Sequence, residues 1–214
     1  MNSNQNTTKD FSRYSPLTVQ NYLLTKIIYF AVSKKYRKLE KLFSSIKGEI
    51  QLTVIYECIL QTYLFAGYPS ALNSLKIFNN HFGNLETLPP ENQVELYDKG
   101  LTVAEKIYGD RLFKLIKNIE KLSPSLSRWF ISEGYGKVFS REGVSLQERE
   151  ITAVVCLCVL EFEEQLISHL RGSIRTGLKT DDLYKMFEIL EKCGGRKAAI
   201  FGIRALDSFL AKRG

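Results

Sequence analysis

The feature that most constrains this chain is the helical spacing of its apolar residues, which continues along almost the whole sequence. Apolar side chains recur every three or four residues, the spacing that places them on one face of an α-helix. No segment shows the strict alternation of a half-buried strand. The pattern predicts an all-α helical bundle. Outside the hairpin described next, the predicted helices cover residues 18–32, 36–46, 53–65, 70–82, 94–108, 112–121, 123–134, 180–192 and 196–211, and residues 136–143 are expected to be irregular.

The clearest local motif is a helical hairpin over residues 145–173. Ser145 is a candidate N-cap, because Glu148 follows it at the three-residue spacing of a capping box. The turn between the two helices is expected near residues 160–162. The hairpin is therefore expected to bring the beginning of its first helix beside the end of its second.

Glu150 and His169 are about equally far from that turn, one on each helix of the hairpin. Because every residue advances the same distance along a helix axis, equal distance from the turn predicts equal height. A carboxylate facing an imidazole inside a helical core suits proton transfer, so these two residues are the candidate catalytic pair. Two structural alternatives stay open. His169 can be a core residue bonded to a nearby oxygen, and Glu150 can complement its helix dipole.

A faint internal repeat relates the two ends of the chain, in a register where Gly67 falls on Gly195 and Ala71 on Ala199. This register predicts a bundle of two unequal helical repeats. The predicted organisation is a disordered tail over residues 1–17, a degenerate first repeat over 18–83, a linker with two prolines over 84–93, and a second repeat over 94–214, all in one compact unit.

When the two repeats are aligned in this register, Tyr22 aligns with Glu150, and Lys41 aligns with His169. The first repeat therefore keeps the helical scaffold but lacks both the carboxylate and the imidazole. One candidate site per chain is expected, and it lies in the second repeat.

Composition and charge narrow the class of protein. Apolar residues make up 44% of the chain and charged residues 25%, as in ordinary globular domains. No apolar run approaches the ~20 residues of a membrane helix, and the polar start is unlike a signal peptide, so a cytoplasmic protein without membrane contact is expected. The net charge is +7, with a basic cluster over residues 34–38. Because no nucleic-acid-binding motif accompanies that cluster, we expect a solvated helix face and no nucleic-acid partner.

The four cysteines form no CxxC pair, and the chain has only two histidines. Cys156 and Cys158 stand two apart on a predicted helix, so their side chains point to different sides. Reduced, mostly buried thiols are expected. Since no metal-ligand spacing is present, we expect neither a metal site nor a cofactor.

Three segments together resemble the carboxymuconolactone decarboxylase family, which includes the alkylhydroperoxidase D-like proteins. They are YGKVFSREGVSLQERE over residues 135–150, EEQLISHLRGSIRTG over 163–177 and ILQTYLFAGYPSA over 59–71. The resemblance covers most of the chain from about Tyr22. It implies an all-helical bundle that usually assembles into homo-oligomers.

The resemblance also implies roles for the candidate pair. The redox branch of the family carries a Glu, a CxxC pair and a His on the hairpin. Glu150 and His169 match the Glu and the His, whereas Phe162 and Gln165 stand where the two cysteines would be. Peroxide reduction needs a thiolate nucleophile and a resolving thiol, so no thiol peroxidase activity is expected. The hairpin is more similar to the decarboxylase branch, in which His169 would be a general acid/base and Glu150 would set its tautomer and charge.

Five further residues are predicted to bind substrate. Gln165 and Tyr135 would orient it, and Phe162 would supply an apolar wall. Arg141 and Arg171 are candidates for carboxylate binding, because a guanidinium pairs with a carboxylate through two hydrogen bonds. For both arginines a structural or surface salt bridge remains the alternative.

The sequence therefore favours a carboxymuconolactone decarboxylase-like protein that acts on a small organic acid or lactone by acid/base chemistry. The alternative is a non-catalytic helical scaffold or oligomerisation protein of the same fold. A homo-oligomer is expected. If the chain is monomeric, the first repeat takes the place of a partner subunit, and residues 63–69 build the wall of the site.

Overall fold

The computed structural model describes residues 11–85 and 93–212, and within the second range not the side chains of Gln93 and Val94. These residues form α-helices and no strand, which confirms the predicted all-α bundle. The helices are α1 (Val19–Val32), α2 (Tyr36–Phe43), α3 (Leu52–Gln61), α4 (Tyr63–Phe82), α5 (Gln93–Tyr108), α6 (Leu112–Leu122), α7 (Pro124–Trp129), α8 (Leu146–Leu160), α9 (Glu163–Arg175), α10 (Thr180–Lys192) and α11 (Arg196–Ala211), with a 3₁₀ turn over Gly109–Arg111 and a π-helix over Phe130–Phe139.

Side-chain caps explain where several helices begin. The Ser145 hydroxyl accepts from the backbone N–H of Glu148, and the Glu148 carboxylate accepts from the N–H of Ser145 at 2.7 Å. This is the predicted capping box of α8. Ser123 caps α7 in the same way, with Pro124 at the first helical position.

One expectation about helix limits is confirmed and one is wrong. A break was expected after residue 65, and the backbone leaves the helical conformation at Gly67, whose φ of +76° is open to glycine at little cost, before α4 continues to Phe82. Residues 136–143 were expected to be irregular, but the first four of them complete the π-helix. Gly136 allows the π-helix to lie against α5, because a Cβ there would overlap the carbonyl of Leu96. Close packing of this kind is not visible in a local sequence pattern.

The helices enclose two apolar cores that meet at α8. The larger core joins α1–α4 with α8–α11, and within it α1 packs against α8 and α10 against α11. The smaller core lies where α5 packs along the π-helix, and Ala153 of α8 belongs to it. Helix α8 therefore lies between the two cores, and Glu150 lies near the beginning of this helix.

The helix limits fit the proposed repeat. In the Gly67–Gly195 register, α1 to α3 fall on α8 to α10, and the part of α4 after its kink falls on α11. The repeat and its domain limits remain predictions. Residues 1–10 of the predicted tail and residues 86–92 of the predicted linker lie outside the described residues. No helix within the described ranges is long and apolar enough to cross a membrane.

Candidate functional site

The site is centred on a buried hydrogen bond between the two hairpin helices. His169 Nδ1 lies 3.1 Å from Glu150 Oε2, and both side chains are buried, with the glutamate fully so. This is the contact that equal distance from the hairpin turn predicts. When Nδ1–H donates to the carboxylate, the second ring nitrogen, Nε2, is left as the proton acceptor. The arrangement can therefore hold a neutral imidazole in one tautomer and stabilise it once it is protonated.

The carboxylate of Glu150 is only partly satisfied. Among the described residues its second oxygen, Oε1, is buried and has no hydrogen-bond partner. Gly172 of α9 makes the close approach of this carboxylate possible, because a Cβ there would lie 2.8 Å from Oε2. Because a buried carboxylate with one partner depends strongly on that partner, Glu150 holds the imidazole of His169 in this orientation.

His169 lies on the wall of a cavity of about 710 Å³. The cavity extends from buried residues, among them Phe139 and Tyr135, to exposed ones such as Leu122 and Trp129. Its volume is that of a small-molecule site. The lining residues are Tyr63, Leu64, Phe65, Tyr68, Tyr108, Leu115, Ile119, Leu122, Leu126, Trp129, Phe130, Glu133, Gly134, Tyr135, Phe139, Glu164, Gln165, Ser168 and His169.

Two aromatic rings hold the imidazole in place. The ring of Phe65 on α4 meets His169 edge to face with centroids 5.8 Å apart, and the ring of Phe139 lies 6.4 Å away in a tilted arrangement. Such contacts restrict rotation of the imidazole without competing for its nitrogen atoms. The ring therefore keeps its alignment with Glu150.

Two buried tyrosines line the same cavity. The hydroxyl groups of Tyr108 on α5 and Tyr135 on the π-helix lie 2.6 Å apart. Burial raises the pKa of both phenols, and the negative charge of Glu150 raises them further. Both remain protonated at neutral pH, so the pair can donate one hydrogen bond inside the pair and one outward.

Of the residues predicted to bind substrate, the structure brings two to the cavity. Tyr135 and Gln165 line it, Tyr135 at the buried end and Gln165 at an exposed position. Phe162 precedes α9, is 52% exposed and does not line the cavity, so it forms no wall there. The prediction for Phe162 rested on its place at one of the two cysteine positions of the redox branch.

The two predicted carboxylate-binding arginines lie elsewhere. Arg141 Nε and Nη2 each donate to the Glu57 carboxylate at 2.8 Å, which is the salt bridge considered as the alternative. Arg171 lies over the ring of Phe209 and lines a second cavity of about 440 Å³. Neither arginine lines the cavity of His169. Substrate binding by either therefore has no support from this arrangement.

Glu57 also holds the fully buried guanidinium of Arg149, the residue before Glu150. Arg149 Nη2 donates to Glu57 Oε2 at 3.0 Å, and Arg149 Nη1 donates to the Glu57 carbonyl at 3.1 Å. The Gln61 side chain donates to the Arg149 carbonyl at 2.8 Å. These bonds fasten α3 to α8 one residue from the candidate catalytic carboxylate.

Several residues that line the cavity have no recognisable functional signal in the sequence. Tyr108 ends α5 on an apolar stripe, and Phe139 lies in the π-helix, where an irregular segment was expected. Tyr63 donates to Glu133 at 3.1 Å and stacks on Tyr68. For Tyr63 and Tyr68 the sequence offered one indication, the expectation that residues 63–69 build the wall of the site in a monomeric protein.

Three of the four cysteines are buried and are poorly suited to redox chemistry. Burial raises the pKa of Cys58 to about 12, and it raises the pKa of Cys156 and of Cys158 further still. These thiols stay protonated at neutral pH, and a protonated thiol is a poor nucleophile. Within the described part of the chain no group of three His, Cys, Asp or Glu side chains could hold a metal ion.

We expect no thiol-dependent peroxide consumption. The measurement is peroxide loss with a dithiol reductant, comparing the unchanged protein with Cys156→Ser and Cys158→Ser. Turnover that is abolished in either variant would show that a buried thiol becomes reactive and would contradict the expectation.

The fold and the site together define an all-α protein with a buried Glu–His pair beside an aromatic cavity. No protein-family model matches the chain. It is 24% identical over 96 residues to the 4-carboxymuconolactone decarboxylase of Acinetobacter baylyi, which covers 44% of this chain and 72% of that protein. It is 23% identical over 147 residues to peroxisomal protein 2 of Schizosaccharomyces pombe, covering 64% of this chain and 69% of that protein. The first likeness supports the resemblance to the carboxymuconolactone decarboxylase family.

Proposed function

We propose that this chain is a carboxymuconolactone decarboxylase-like enzyme that acts on a small organic acid or lactone by acid/base chemistry. The observation that carries the proposal is the 3.1 Å contact of Glu150 with His169, since His169 also lines a cavity of about 710 Å³. A general base must lie within hydrogen-bond reach of its substrate, and only a histidine beside a cavity meets that condition. The cavity thereby supports the enzyme over the non-catalytic scaffold.

The residues at the buried end would share the work of proton transfer. Glu150 accepts from Nδ1–H of His169, which leaves Nε2 to remove a proton from a carbon next to a carbonyl group. The electron pair moves onto the carbonyl oxygen, where a hydroxyl of the Tyr108–Tyr135 pair donates to the developing oxyanion. In a decarboxylation Nε2 takes the proton of the substrate's carboxylic acid group, the carbon–carboxylate bond breaks, and CO₂ leaves. The electron pair of that bond moves onto the carbonyl oxygen, and His169 then returns the proton to carbon.

The test uses two substrates and the full chain. Release of CO₂ from 4-carboxymuconolactone is measured, and NMR follows deuterium incorporation next to the carbonyl of δ-valerolactone in D₂O. We expect at least one reaction in the unchanged protein and its loss in His169→Gln. The matched control is His81→Gln, because the His81 ring bonds to Ile77 and Ser44, and His81 does not line the cavity. Absence of both reactions would overturn the proposal.

We also expect a homo-oligomer, as the family resemblance implies. Large apolar side chains remain exposed, and a contact with a second copy of the chain would cover part of them. They are Val19, Tyr22, Leu52, Tyr68, Leu72, Phe113, Leu122, Leu126, Trp129, Phe162 and Ile200. Light scattering at micromolar concentration measures the mass.

A strictly monomeric mass would contradict the homo-oligomer. It would also give weight to the first repeat as the stand-in for a partner subunit, because Tyr63, Leu64, Phe65 and Tyr68 already line the cavity within one chain. A cytoplasmic location stays a prediction.

A further inference from the structure

We infer that the cavity beside His169 takes an uncharged, mainly apolar ligand with one carbonyl group, such as an alkyl lactone, rather than a ligand that carries a carboxylate. The inference rests on the proposed function in one respect, since it concerns the same cavity. It narrows the substrate class from organic acids and lactones to neutral carbonyl compounds.

The charges on the cavity wall support this choice. Among the described residues that line it, none is Lys or Arg, and two are glutamates, Glu133 and Glu164. Glu133 accepts from the Tyr63 hydroxyl at 3.1 Å, which holds its carboxylate at the wall. A carboxylate ligand would lose hydration there and would meet like charge, with His169 as the one group able to become cationic. A neutral ligand avoids that cost.

The rest of the wall is suited to an apolar ligand body. Leu115, Ile119 and Leu122 of α6 face the cavity, and their helix contributes one buried residue, Leu112, to the protein core. Leu126 and Trp129 of α7 continue this wall at exposed positions. An alkyl or aromatic group placed along α6 and α7 would remove these side chains from water, which favours binding.

Three polar groups of the cavity lie at its buried end. They are the Tyr108–Tyr135 hydroxyl pair, with oxygens 2.6 Å apart, and the imidazole of His169. The pair has an outward O–H to donate, and a carbonyl oxygen is an acceptor without charge. One carbonyl group at this end and an apolar body toward α6 and α7 would use both parts of the cavity.

The test compares two ligands that differ in charge. γ-Nonalactone is the neutral probe, and the charged probe is the same lactone ring with a side chain of similar length that ends in a carboxylate. Isothermal titration of the full chain measures both dissociation constants. We expect γ-nonalactone to bind at least about tenfold tighter, since one mispaired buried charge costs more than that factor.

Adding a cation should reduce the preference. Gln165→Arg places a guanidinium on the cavity wall at an exposed position where folding is not at risk. We expect it to tighten binding of the carboxylated lactone by about tenfold and to reduce the ratio of the two dissociation constants accordingly. The matched control is Gln51→Arg, the same substitution at an exposed residue outside the cavity, which should change neither affinity.

The carbonyl contact has its own readout. Infrared spectroscopy of bound γ-nonalactone should show the carbonyl stretch at lower frequency than in an apolar solvent. Either oxygen of the pair can be the outward donor, so the variant combines Tyr108→Phe with Tyr135→Phe. It keeps both rings and removes both hydroxyls, and the stretch should return toward the apolar value. An unchanged stretch in this variant would place the carbonyl away from the tyrosine pair and overturn that part of the inference.

The binding experiments separate this inference from the proposed function, because they need no turnover. Equal or tighter binding of the carboxylated lactone, or no binding of either probe, overturns the inference. If CO₂ release from 4-carboxymuconolactone then depends on His169, the proposed function still stands. Selective binding of γ-nonalactone by a protein that shows neither CO₂ release nor proton exchange supports the inference and overturns the proposed function.

Discussion

His169→Gln is expected to lower kcat/KM by about 10²- to 10⁴-fold in whichever of the two proposed reactions the protein performs, which is the range for loss of a general acid/base. Gln keeps a polar side chain but cannot carry the proton. Glu150→Gln should cost nearly as much, because the carboxylate 3.1 Å from Nδ1 sets the tautomer and stabilises the protonated ring. The measurement is steady-state kinetics of both variants.

The double variant is the sharper measurement. Residues that act as one unit show strongly non-additive losses, so the double variant should be hardly slower than His169→Gln. His81→Gln is the control and should retain the activity of the unchanged protein. Losses that multiply in the double variant would mean that Glu150 and His169 act independently, and the paired mechanism would have to be given up.

Glu57→Gln is expected to lower the free energy of unfolding by about 3–5 kcal/mol, the usual cost of breaking a buried ion pair from one side. The Glu57 side chain is 5% exposed and meets two guanidinium groups, and that of Arg149 is fully buried. Gln cannot neutralise either charge. Urea unfolding followed by circular dichroism measures the change.

Glu188→Gln is the matched control, because that carboxylate also meets two cations. Lys185 lies 2.9 Å away and Lys192 2.6 Å away, but the Lys192 side chain is 71% exposed. Water screens such a pair, so a loss of about 0–1 kcal/mol is expected. Equal losses in the two variants would show that burial of Arg149 does not make Glu57 important for stability.

The sequence was most informative about features that depend on neighbouring residues. The capping box at Ser145, the N-cap at Ser123 and the end of α8 before the hairpin turn all follow from residues within a few positions. The same holds for the break predicted after residue 65, which the backbone makes at Gly67. Predictions failed where a distant segment decides the local backbone, as in the π-helix packed against α5.

The candidate site divides in the same way. The height of Glu150 and His169 follows from counting residues on two antiparallel helices, and no other contact has to be known. The direction in which the Arg171 side chain points depends on the rotation of α9 about its axis, and that of Phe162 depends on the turn before α9. Sequence position alone does not determine either direction. The structure turns both away from the cavity.

By itself the sequence determined that this protein is an all-α bundle with a Glu–His pair on one helical hairpin, because helical period, caps and turn length are local properties. The tertiary structure alone decided what surrounds that pair. Tyr108 and Tyr135 meet across 27 residues, and Arg149 becomes fully buried because Glu57 lies 92 residues earlier on a packed helix. Contacts over such separations depend on how whole helices pack, and that packing is a property of the complete core.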